Sequence, residues 1–217
     1  MRNIRWIVVV LLALGLYATA DVKTTLTPPT REEMTATRKV GRYLATITMA
    51  GGKKIELVLE GAEMPYTVAN FVKLANAHFY DGLTYHRVEK GFVVQGGDPN
   101  GDGTGGPGYQ LNLEISPLLR HKRGAISMAR NDEPIDSAGS QFFITQGEWR
   151  YLNGKYAVFG WVKSGLDVVD ALKVGDVMKT VSVEPYKGKE ACPILDSGPK
   201  PVKETTKPAD LDHKGEK

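Results

Sequence analysis

Tyr85-His86-Arg87-Val88-Glu89-Lys90-Gly91-Phe92-Val93-Val94-Gln95-Gly96-Gly97-Asp98 consists of two short β-rich runs separated at Gly91. Side chains on a strand alternate between faces, so His86 and Arg87 diverge, whereas Arg87 and the alternating set beyond the turn can share a face. Arg87 can then lie beside Phe92 and Gln95. Taken alone, a strand arginine is more often a surface or ion-pairing residue than a catalyst. His86 alone has no nucleophile to activate. Chemistry has to come from the company these residues keep.

The same period continues on both sides. Upstream, Tyr43, Ala45, Ile47 and Met49 alternate, Ala50-Gly51-Gly52 offers a turn, and Ile55, Leu57 and Leu59 resume the alternation, which predicts a hairpin. Downstream, β-rich runs cover Ala125 to Ala129, Gln141 to Thr145, Ala157 to Val162 and Thr180 to Val183; with Leu83 to Val88 and Phe92 to Gln95 they make eight strands. That count points to a barrel or sandwich. Two segments carry helical spacing instead. Val68, Phe71, Val72 and Ala75 stand at i, i+3, i+4 and i+7, with Pro65 where a first-turn proline is tolerated. Leu166, Val168, Val169 and Leu172 make a shorter helix between Gly165 and Gly175. Two helices among so many strands can cap the open ends of a closed barrel.

The ends of the chain differ from its middle. Arg2 and Arg5 precede an apolar run from Trp6 to Leu14 that leads to Ala18-Thr19-Ala20, the order of a secretory signal peptide with cleavage after Ala20. An uncleaved anchor is the alternative, but spanning a bilayer takes roughly 18 apolar residues and this run is shorter. Residues 21–38 show neither period and read as a linker; 39–185 form the domain, and 186–217, rich in Lys, Asp, Pro and Gly, read as a flexible tail. The net charge of +3 is dispersed along the chain, which argues against a nucleic-acid partner. The single cysteine, Cys192, cannot form an intramolecular disulfide and reads as an incidental thiol.

Two further stretches complete the pattern. Arg123-Gly124-Ala125-Ile126-Ser127-Met128-Ala129-Arg130 precedes Ser137-Ala138-Gly139-Ser140-Gln141-Phe142-Phe143-Ile144-Thr145, and Leu152-Asn153-Gly154-Lys155-Tyr156-Ala157-Val158-Phe159-Gly160 comes after both. Phe142, Ile144 and Met128 have the character of core residues. In order and spacing, Y-H-R, G-F-x-x-Q-G-G-D, S-M-A, G-S-Q-F-F-I, L-x-G-K and V-F-G resemble the cyclophilin family of peptidyl-prolyl cis/trans isomerases over most of residues 40–184.

The resemblance implies a mainly β fold, an eight-stranded antiparallel barrel closed by two helices, with substrate bound on its outer surface. It implies Arg87 as the catalytic residue, Phe92, Val93, Met128, Phe143, Leu152 and Tyr156 as the proline pocket, and Gln95, Ala129, Arg130 and Gln141 along the groove for the substrate backbone. Neither cofactor nor metal is implied. The expected partners are proline-containing peptides and folding exported proteins, met by a monomer in the secretory pathway or bacterial periplasm. Tyr151 stands where many eukaryotic members carry a cyclosporin-contacting tryptophan, Tyr156 replaces a histidine and Val93 a methionine. Arg130, where many of those members carry asparagine, is like the bacterial branch.

Other readings have weaker support. Asp98-Pro99-Asn100-Gly101-Asp102-Gly103 matches the start of a calcium loop, but its twelfth position is Tyr109 rather than glutamate. A hydrolase assembled from His86, Asp98 and Ser127 or Ser140 lacks G-x-S-x-G around either serine. A barrel holding an apolar ligand would need small residues facing its lumen. A catalytically idle proline-binding module would not need Arg87.

Overall fold

The computed structural model describes residues 25–196. The predicted signal peptide and residues 197–217 of the predicted tail lie outside them. Helix α1 (Arg31–Val40) leads into the hairpin β1 (Arg42–Met49) and β2 (Lys54–Glu60). Next come helix α2 (Pro65–Asn76), β3 (Tyr85–Glu89), β4 (Val93–Gly96), β5 (Ala125–Met128) and β6 (Phe142–Thr145), then β7 (Val158–Ser164), helix α3 (Leu166–Ala171) and β8 (Met178–Pro185).

The strands join antiparallel in the order β3-β4-β6-β5-β7-β2-β1-β8, a single curled sheet. The expectation of a closed barrel is corrected by the two ends of that ladder. β3 and β8 remain its edges, joined only by the isolated bridge between Thr84 and Val177. β3 meets β8 only at its entry, where Tyr85 N–H donates to Asp176 O and Met178 N–H to Leu83 O. Beyond that crossing β3 pairs with β4 alone, so the sheet is an open half-barrel.

Side chains occupy the concave interior. Phe71 from α2 stacks on Tyr80 at 4.9 Å and meets the edges or faces of Phe142 and Phe159 at 5.7 and 5.5 Å, all of them fully buried. α2 closes one end because Val68, Phe71, Leu74 and Ala75 form its buried stripe. Pro65 opens it, and the Glu114 carboxylate accepts from the free N–H groups of Tyr66 and Thr67. With Gly160, β7 comes so close to β2 that a Cβ there would lie 2.5 Å from Val58 O.

Two terminal readings are changed. Residues 31–38, read as the end of a linker, belong to helix α1: Thr30 and Glu33 cap it reciprocally, and Glu33 pairs with Lys73 of α2 at 3.2 Å. Of its residues only Thr37 is buried, so no apolar period announced it. At the other end the chain stays attached through residue 196. Cys192 and Ile194 are buried, Leu195 bridges Leu119, and Asp196 pairs with Arg120 at 2.7 Å. Burial first, with Glu60 nearby, pushes the Cys192 thiol up to about 11, consistent with an inert group.

Candidate active site

β3 carries one residue more than β4 can match. Tyr85 pairs with Gly96 and the next pair is Arg87 with Gln95, which leaves His86 as a bulge. Parity changes at that point: Tyr85 is fully buried in the interior, and Arg87, two residues later, faces outward. Cross-strand partners then run Arg87, Gln95, Phe143, Ser127 across β3, β4, β6 and β5. Val93, Phe143 and Leu152 form a buried apolar cluster separate from the interior, with Phe92, Ala129, Trp149 and Tyr156 packed against it.

This cluster floors a hollow of about 250 Å³ whose rim includes Arg87, Gln95, Arg130 and Tyr151. A wider polar groove of about 580 Å³ adjoins it, sharing Gln95, Ala129 and Arg130 and running past Gln141 and the loop 103–110. All but one of the residues expected in the site therefore line the two hollows. Met128 does not. It pairs with Phe142 and shares that residue's face, so it points into the interior and is 1% exposed.

Arg87 is held on two sides. Its Nε donates to Glu89 Oε1 at 2.9 Å and Nη2 donates to the same oxygen, while Nη1 donates to Gln95 Oε1 at 3.0 Å. Gln95 Nε2 donates to Gln141 Oε1, and Gln141 Nε2 to the carbonyls of Gly103 and Gly105, each at 2.9 Å. The guanidinium carbon lies 6.0 Å from the centre of the Phe92 ring. Three of the five guanidinium N–H donors are occupied, so two can still be offered to a molecule in the hollow.

The walls are aromatic. Phe92 meets Trp149 edge-on at 5.1 Å, and Tyr156 meets Phe143 edge-on at 5.7 Å. Arg130 lies 4.8 Å over Tyr156, its guanidinium donating to the carbonyls of Lys155, Asn131 and Asp132. Behind Phe143, His121 stacks at 5.8 Å and 13°. Its Nδ1 is 3.0 Å from Asn153 Oδ1, which also accepts the His121 backbone N–H, and its Nε2 is 3.1 Å from Ser127 Oγ. An amide oxygen only accepts, so Nδ1 carries the proton and Nε2 accepts from the serine. Burial holds the ring's pKa down to about 4, against a weaker upward pull from Asn153, and the imidazole is neutral near pH 7.

No hydrolytic set forms from the residues considered for one. Ser127 is buried under His121, Ser140 Oγ donates to Gly97 O at 2.7 Å, and Asp98 accepts the backbone N–H groups of Asn100, Asp102 and Gly103. The same three amides make the acidic segment after Asp98 an anchored turn, tight enough that a Cβ on Gly105 would strike Asp98 Oδ1 at 2.1 Å. His86 has both ring nitrogens buried without a partner among the described residues, and burial lowers its pKa. Reading the sequence missed Glu89, His121 and Trp149. For Glu89 a signal was present, since R-x-E on a strand puts acid and guanidinium on one face.

The arrangement can grip a small apolar ring, lay a peptide along polar groups and present fixed N–H donors to it, without a nucleophile or an acid/base pair. Comparison with known proteins agrees. The model of the family "cyclophilin type peptidyl-prolyl cis-trans isomerase/CLD" matches residues 44–190. The peptidyl-prolyl cis-trans isomerase B of Bacillus subtilis is 50% identical over 147 residues, 67% of this chain and 99% of that protein. A peptidyl-prolyl cis-trans isomerase of Helicobacter pylori is 44% identical over 142 residues, 64% of this chain and 85% of that protein. Among solved structures, a Cryptosporidium parvum cyclophilin type isomerase, crystallised in the presence of the dipeptide Ala-Pro, superposes with a TM-score of 0.61 at 30% identity, covering 66% of this chain and 99% of that one. This chain belongs to the cyclophilin type peptidyl-prolyl cis-trans isomerase family.

Proposed function

We propose that a substrate's proline ring sits in the hollow floored by Val93, Phe143 and Leu152 and walled by Phe92 and Tyr156, with Arg87 aimed at the prolyl nitrogen. The amide resists rotation by roughly 18–20 kcal/mol because the nitrogen lone pair is delocalised into the carbonyl. Twisting frees that lone pair, so a donor at the nitrogen binds the perpendicular state better than either planar one. The flanking chain runs along Gln95, Ala129, Arg130 and Gln141, and this grip confines the rotating acyl group. The observation that carries the reading is an arginine with two free N–H donors at the rim of an apolar socket on one face. The Ala-Pro dipeptide used with the Cryptosporidium relative is of the same substrate class.

Removing one preorganised donor to a transition state costs on the order of a hundredfold in rate. Arg87→Ala should therefore lower kcat/KM for an Xaa-Pro peptide by about that factor, as read by NMR exchange spectroscopy, with the folded spectrum retained. A variant within twofold of the parent would remove Arg87 from this role and leave the site as a binding groove.

The order of the first twenty residues supports export, with the folding of exported chains as the setting of the activity, and Arg130, like the bacterial branch, favours a bacterial periplasm as the destination. The mature protein then begins at Asp21, which N-terminal sequencing of the exported form reads directly; a retained Met1 overturns the cleaved leader.

A further inference from the structure

Glu89 is the carboxylate that touches the Arg87 guanidinium, and any part it plays in turnover rests on Arg87 being the donor to the prolyl nitrogen. It stands two residues after Arg87 on β3, hence on the same outer face. Its Oε1 accepts from both Nε and Nη2, and each side chain of the pair is about half exposed. Gln95, itself fixed by Gln141, already holds Nη1. Arg130, in the same site, is held by three backbone carbonyls and the Tyr156 ring with no carboxylate among the hydrogen bonds of its guanidinium. What Glu89 adds is negative charge.

That charge is felt on the far side of the guanidinium. Alone, Arg87 presents a full positive charge to the prolyl nitrogen; with a carboxylate along its Nε edge the pair presents a dipole, whose potential falls faster with distance. A planar amide nitrogen has no localised lone pair and gains little from either. The twisted nitrogen does have one, so the weakening falls on the twisted state and on kcat rather than KM. We infer that Glu89 is a positioning residue that attenuates Arg87, competing with the twisted substrate for its charge and keeping turnover below what the site could reach. Because the pair is exposed, salt screens this restraint.

The test is a double-mutant cycle on the full chain with an uncharged Xaa-Pro peptide, measured by NMR exchange in low salt and in about 0.5 M salt. Glu89→Gln should raise kcat roughly threefold in low salt with KM unchanged. In the Arg87→Ala background the same change should do nothing, and salt should lift the parent toward Glu89→Gln while leaving that variant alone. A kcat for Glu89→Gln that is unchanged or lowered, or an equal gain without Arg87, overturns the inference. Parental turnover in Arg87→Ala by itself overturns the assignment of Arg87, and this inference falls with it.

Discussion

Phe142 and Phe143 are neighbours on β6 and belong to different parts of the molecule. Phe142 is fully buried, edge-on to Phe71, Tyr80 and Tyr85 at 5.7 to 6.3 Å, and pairs across the sheet with Met128 and Gly96. Phe143 lies on the opposite face against His121 and Tyr156, and its cross-strand partners are Gln95 and Ser127. On the inner face Phe142 is surrounded by other aromatic rings. On the outer face a small apolar island is bordered by amides, a hydroxyl and a guanidinium. A sheet of period two can thus hold its stability on one side and its site on the other, provided the register is kept.

Truncation separates the two roles, and the largest effect belongs to the inner face. Phe142→Ala should cost about 3–5 kcal/mol in denaturant unfolding, because the surrounding rings cannot collapse into the cavity. Phe143→Ala, whose cavity opens to the hollow and can take up water, should cost about 2 kcal/mol and raise KM for a proline peptide. Equal losses of stability, with KM untouched in the second variant, would break the contrast between the faces.

The inner face was the more legible one in the sequence. Alternation in residues 43–59 and the i, i+3, i+4 spacing at Val68, Phe71 and Val72 report burial directly, and those strands and that helix are where they were expected. Closure was not legible. A ladder is complete only if its first and last strands stay parallel in space, and the divergence of β3 from β8 depends on twist rather than on any local pattern. The bulge at His86 was hidden for a similar reason: alternation alone puts Tyr85 and Arg87 on one face, and only the pairing with β4 shows them on two. Motif matching picked out Arg87, Phe92 and Gln95, which the fold brings to one hollow, but it also carried Met128 there, where parity forbids it. α1 escaped because a helix that buries one threonine has no apolar stripe, although Thr30-x-x-Glu33 was there as a capping signal.

The outer face also differs in what supports it from behind, and His121 offers a smaller and more selective way to sharpen the contrast. The ring is 1% exposed, packed flat on Phe143 and bonded to Asn153 and Ser127, so protonating it in place would bury a charge and take away the acceptor that Ser127 uses. A pKa of about 4 when folded, against 6.5 for the free group, means that the unfolded chain takes up this proton first as pH falls. The stabilisation is complete above pH 6.5, declines through the interval and is gone below about 4, a loss of roughly 3 kcal/mol. His86, whose pKa burial also lowers, contributes in the same direction, and the lowered carboxylates Glu56 and Asp170 lose their stabilisation at still lower pH. His121→Gln removes one titration and leaves these others. Its urea-unfolding free energy should therefore fall less steeply than the parent's between pH 6.5 and 4, the two curves converging by up to about 3 kcal/mol. Curves that stay parallel across that interval would mean that the ring behind Phe143 already exchanges protons with solvent, and that the outer face rests on looser support than its geometry implies.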